Sequence, residues 1–163
     1  MSGNVKKVIY MALFIALSYL GANIKMLSPT GTVALDSMPG FLAALVIGPV
    51  SGAFCAFLGH IFTSLLSGFP LTFPLHLLIG VEMGIFACIF GKVYKKNSLI
   101  GDAAGILLNG IIAPASFIPL KGFGIPFFLA MVFPLLFASF INIILADLVF
   151  RGLKKLSGDK SVF

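Results

Sequence analysis

From Val8 to Phe150 the chain is a succession of apolar runs, most of them long enough to cross a bilayer. They are broken only by short stretches rich in Gly, Pro and Lys. A helix needs about 17–25 mostly apolar residues to span the hydrocarbon core. Backbone polar groups there must be satisfied inside the protein, which leaves helices or closed barrels. Runs this long, without strict alternation, predict helices. Composition agrees, with 60% hydrophobic residues and 10% charged. Mean hydropathy is +1.14. So few polar side chains cannot cover a soluble domain. Eighteen glycines suit close contacts between spanning helices.

The expected fold is therefore all-α, a single integral membrane bundle over residues 1–163. Six transmembrane helices are placed near 6–25, 36–48, 50–67, 73–94, 99–117 and 126–152. The second is short. "GPVSG" predicts a tight turn after it, and Pro74 suits the first turn of helix 4. The apolar run after Lys6 and Lys7 is longer than a signal-peptide core, and no small-x-small cleavage site follows it. It is read as a retained first span. With the N-terminus inside, Lys6, Lys7, Lys92, Lys95, Lys96, Arg151, Lys154, Lys155 and Lys160 are cytoplasmic, and only Lys25 and Lys121 lie outside. This bias predicts an N-in, C-in topology. The net charge of +6 is spread over short clusters between spans, which argues against nucleic-acid binding.

Ionisable groups inside spans are costly and usually face protein or water. Glu82 falls about 12 Å below the outer end of helix 4, at about 1.5 Å per residue. His76 lies near that end, and His60 and Thr63 lie in the outer half of helix 3. Asn109 lies in the outer half of helix 5. Gly52, Ala56, His60, Thr63 and Ser67 share one face of helix 3, and Gly105, Asn109, Ala113 and Ser116 share one face of helix 5. Such stripes either pack against a helix or line a cavity. Glu82 points about 120° away from His76 around helix 4. His60 either bonds a neighbouring helix or enters a pocket. Glu82, His60 and Asn109 form the expected polar core of a substrate site, joined by His76, Thr63, Phe69 and Phe73. Asn142 reads as interhelical glue. Asp102 and Asp147 read as end groups that meet Lys95, Lys96 or Arg151, and Asp36 reads as the cap of helix 2. Cys55 and Cys88 read as small core residues, and no metal-binding spacing is present. The sequence has no H-E-x-x-H, G-x-S-x-G or Walker motif, so no enzyme or ATP site is expected. On helix 1, Ala12 and Ala16 form an A-x-x-x-A step that permits close helix approach.

"MALFIA", the long loop after helix 1 and "LDSMPGFLAALVIGPVSGAFCAFLGHIFTSLLSGFP" resemble the substrate-binding S components of energy-coupling factor (ECF) vitamin transporters over nearly the whole chain. "GTVALDSMPGFLAALVIGPVSG" and "LSGFPLTFPLHLLIGVEM" are most similar to members assigned to α-ribazole, a benzimidazole nucleoside of cobamide salvage. The resemblance implies a bacterial cell-membrane subunit that captures a vitamin outside the cell and passes it inward. It implies docking of Ala12 and Ala16 on a transmembrane T subunit, with two ABC ATPases hydrolysing ATP and no cofactor in this chain. Phe62, Phe69 or Phe73 would then stack on the ligand ring. Three other readings stay open. One is an S component for another vitamin, such as pantothenate. A second is a small membrane enzyme using Glu82 and His60, which needs the two within hydrogen-bonding reach. A self-assembling channel is a third and would show no saturable vitamin binding.

Overall fold

The computed structural model describes residues 3–31 and 33–158. Lys160, assigned above to the cytoplasmic side, lies outside them. Among the described residues there are six helices: α1 Gly3–Gly21, α2 Met38–Val46, α3 Pro49–Leu66, α4 Phe73–Tyr94, α5 Ser98–Ala115 and α6 Gly124–Leu156. Five of them, all but α2, are long and apolar enough to cross a membrane by length and composition. α2 has only nine residues, about 13 Å of helix, and Pro39 through Leu45 are all buried.

Prolines and glycines set the boundaries. Pro39, Pro49 and Pro74 all stand in the first helical turn, where a missing N–H costs nothing. Gly48, at φ 106°, makes the turn from α2 into α3, a conformation only glycine adopts freely. Around that turn α2 and α3 touch backbone to backbone. A Cβ on Gly52 would lie 2.4 Å from Ala44 Cα, and one on Gly40 would lie 2.8 Å from Ala56 Cα. Two small-x-x-x-small steps thus face each other, which is how polypeptides approach closely where the hydrophobic effect gives little help. The same stripe continues up α3, where Gly59 accommodates Ser18 of α1. The core that results centres on Phe41 and Phe90, edge to face at 5.2 Å.

α5 departs from the expected regular helix. Leu108–Ile112 form a π-helical turn, in which Ala113 N–H bonds the Leu108 carbonyl. Pro114 accounts for it, since its ring cannot donate to Gly110 O and would crowd that carbonyl.

The two ends of the bundle differ. One gathers the segment before α2 and the links α3–α4 and α5–α6. The other carries the exposed side chains Lys6, Lys7, Lys92, Lys95, Lys96, Arg151, Lys154 and Lys155. There Tyr94 Oη bonds Asp147, Arg151 Nε meets Asp147 Oδ1 at 2.8 Å, and Arg151 Nη2 reaches Ser98 Oγ at 3.3 Å. These bonds tie α4, α5 and α6 together, as expected for Asp147. Asp102 is buried, with Oδ1 unpaired, instead of meeting a basic side chain.

Candidate functional site

The segment between α1 and α2 folds back on itself. Lys25 and Ala34 form a short antiparallel bridge, with Met26 N–H bonded to Val33 O at 2.8 Å and Leu35 N–H to Ile24 O at 3.1 Å. Lys25 Nζ fastens this ribbon to the end of α3 through Ser67 Oγ at 2.9 Å. Val33 and Met26 pack on Met131, Phe127, Leu135 and Ala138 of α6. Beneath the ribbon, among α3, α4, α5 and α6, lies a cavity that offers about 90 Å³ to the centres of water molecules. Its polar lining is Thr30, Asp36, Ser37, His60, His76, Asn109 and Asn142. Its apolar lining includes Val33, Leu71, Ile79, Met83, Phe117, Phe127, Met131 and Leu135.

Two histidines from adjacent helices meet in the wall. His60 Nε2 lies 3.2 Å from His76 Nδ1, and Ser64 Oγ lies 3.1 Å from the first and 2.9 Å from the second. Leu71 N–H donates to His76 Nε2 at 3.4 Å. With that nitrogen accepting, a neutral His76 carries its proton on Nδ1 and donates toward Ser64 or His60. Ser64 also donates to its own helix at His60 O, 2.8 Å away. The link that supplies Leu71 is held tightly. Phe69 (φ 49°) and Thr72 (φ 75°) are both left-handed, rare for residues with side chains and a strained state for a β-branched one. That geometry sets Phe69 edge-on to Phe73 at 5.3 Å and 5.8 Å from the His76 ring.

Two amides fix the far wall. Asn109 Nδ2 donates to Ser139 Oγ at 2.8 Å, and that hydroxyl in turn donates to Leu135 O at 2.6 Å. Asn142 joins three elements. Its Oδ1 accepts Met38 N–H at 2.8 Å, and its Nδ2 donates to Ala34 O at 3.1 Å and Ala138 O at 2.9 Å. It is the interhelical contact expected of it, and it also faces the cavity.

Asp36 departs from its expected role. Ser37, not Asp36, occupies the N-cap of α2 and makes no side-chain cap bond. The ribbon instead turns Asp36 into the cavity, beside Thr63 and within the field of Lys25. Burial raises its carboxyl to about 6, against the opposing pull of its own and Ser37's backbone, Thr63 and Lys25.

Of the residues singled out in the sequence, His60, His76 and Asn109 share the cavity. Thr63 stands just behind the wall, buried and bonded to Gly59 O at 2.9 Å. Phe69 rests against His76 from outside the lining, Phe73 stands edge-on to Phe69 and is exposed, and Phe62 is exposed as well. Glu82 also lies outside it. One carboxylate oxygen is buried without a partner, and the Ser116 side chain, just past the end of α5, acts on the group. The divergence of Glu82 from His76 around α4 was visible in the helical period. The aromatic wall of Phe117 and Phe127, whose rings lie 5.1 Å apart, was not singled out in the sequence. Its only sequence signal is its place beside the α5–α6 link. Cys55 is buried, as expected, and the described residues contain no cluster of metal-ligating side chains.

Comparison with known proteins adds one finding. The family model described as "ECF transporter, substrate-specific component" matches residues 6–153. The chain belongs to that family of membrane-embedded substrate-specific transporter components. No curated protein and no solved structure matches it.

Proposed function

We propose that this chain captures α-ribazole on the outer face of a bacterial cell membrane. It would hand the ligand inward together with a T subunit and two ABC ATPases. In this reading the termini are cytoplasmic, the ribbon end faces outward, and α2 is the sixth, short crossing within the bundle. The observation that carries the reading is the cavity itself. It combines an apolar body, formed by Phe117, Phe127 and Met131, with a few polar groups at Asp36, His60 and Asn109. Small-molecule sites have this make-up. A benzimidazole ring suits the aromatic side and ribose hydroxyls suit the polar side. The enzyme alternative loses support, because the cavity holds His60 without Glu82.

Calorimetry on the detergent-purified protein tests this directly. Saturable binding of α-ribazole is expected, weakened about ten- to a hundredfold in His60→Ala and Asn109→Ala, because each leaves a buried polar partner unsatisfied. Native mass spectrometry of the same preparation should show a retained small molecule or one α-ribazole per chain. A folded protein that binds no α-ribazole would overturn the assignment of ligand.

A further inference from the structure

We infer that Asp36 makes this cavity selective against anions, so that it takes a neutral or cationic ring compound and refuses phosphorylated or carboxylated relatives. The inference rests on the ligand-binding reading above and deepens it. Among the described lining residues Asp36 is the one carboxylate, and none of them is Lys or Arg. The cation whose field reaches it, Lys25, lies outside the lining, with Nζ on Ser67 Oγ at 2.9 Å and Gly31 O at 3.1 Å. A buried anion needs a paired charge or convergent donors, and leaving it without them costs several kcal/mol.

The helix start nearest Asp36 does little to fill the gap. Helix N-termini hold phosphates elsewhere through free N–H groups. The one beside Asp36, that of α2, has its Met38 N–H on Asn142 Oδ1 and has Pro39 next. His76 is turned into the wall, with both ring nitrogens in contact with Leu71, Ser64 and His60. A ligand phosphate or carboxylate would therefore lie near a carboxylate, with no Lys or Arg in the lining to offset it. A ligand hydroxyl, ring N–H or cation would find an acceptor already in place.

Two measurements test this. The first compares α-ribazole with its 5′-phosphate by calorimetry on the full chain. The phosphate should bind at least about 100-fold more weakly, and Asp36→Asn, which keeps size and polarity, should narrow that gap to about tenfold or less. Equal binding of the two by the wild type overturns the inference, as does undiminished discrimination by a folded Asp36→Asn. The second does not depend on the ligand. Ala113→Cys places a thiol in the lining. It is labelled with a cationic trimethylammonium or an anionic sulfonate methanethiosulfonate, and the parent with Cys55 and Cys88 sets the background. The cationic reagent should be favoured about tenfold or more over its ratio with a free thiol, and Asp36→Asn should abolish most of that preference. An unchanged ratio sinks the charge filter. A preserved ratio alongside no nucleoside binding would instead discard α-ribazole and keep the filter.

Discussion

Asp36 shows how much a single side chain's role depends on backbone that the sequence leaves open. It stands just before Ser37 and Pro39, where a helix-start reading assigns it to capping. The folded-back ribbon carries it into the cavity instead. His60, His76 and Asn109 could be placed from depth and helical face alone, because a 3.6-residue period fixes direction once the helix is known. Phe117 and Asp36 could not, because both lie at helix ends, where direction comes from the link. The cavity position of Asp36 has a measurable result. Its carboxyl rises from an ordinary 3.8 to about 6 on folding, so the folded state favours the protonated form. The stability it contributes is full below the ordinary value and is lost as pH rises through about 6. Relative to Asp36→Asn, the wild type should lose melting temperature between about pH 4 and about pH 8. A difference that stays flat across that interval would show the carboxyl to be solvated.

At the scale of elements, α4 was read from the sequence with the ends the structure gives, Phe73 and Tyr94. Pro74 marks its start, and the basic link that holds Lys95, Lys96 and Asn97 marks its end. The helical face of Gly52 and Ala56 was equally legible, although periodicity does not say whether a small stripe meets a helix or a ligand. Here it does both in turn, with packing at Gly52 and Ala56 and the cavity at His60. The π-turn was not legible in the sequence, because Pro114 near a helix end is also compatible with an ordinary stop. The α2–α3 contact predicts a sharp contrast between two glycines. Gly52→Leu must push α2 off α3, since even a Cβ would overlap the Ala44 backbone. A loss of about 3 kcal/mol or more is expected, or failure to accumulate in the membrane. Gly152→Ala sits in open space within α6, and should be neutral or gain up to about 1 kcal/mol from helix propensity. Thermal denaturation in one detergent decides both, and equal tolerance of the two would refute the close contact.

For the whole molecule, the apolar runs made a helical membrane bundle legible from the outset. The ribbon and the depth of α2 were not, because they depend on long-range contacts such as Asn142 to Ala34 and Met38. α1 is the least enclosed of the long helices, with 11% of its spanning residues buried, and Ala12 and Ala16 are both exposed on it. If that surface receives the T subunit, the Ala12→Trp, Ala16→Trp double variant should bind α-ribazole normally yet fail to support uptake with co-expressed partners. Normal uptake would relocate the docking face. The uneven charge of the two ends also bears on how cargo can travel. Eight exposed cations, from Lys6 to Lys155, crowd the end opposite the cavity. Each would cost about 2.5–3.5 kcal/mol if drawn to mid-bilayer. On the topology proposed above, such ballast would hold a solitary copy upright, so any capsizing that brings the cargo across would have to be forced from outside the chain.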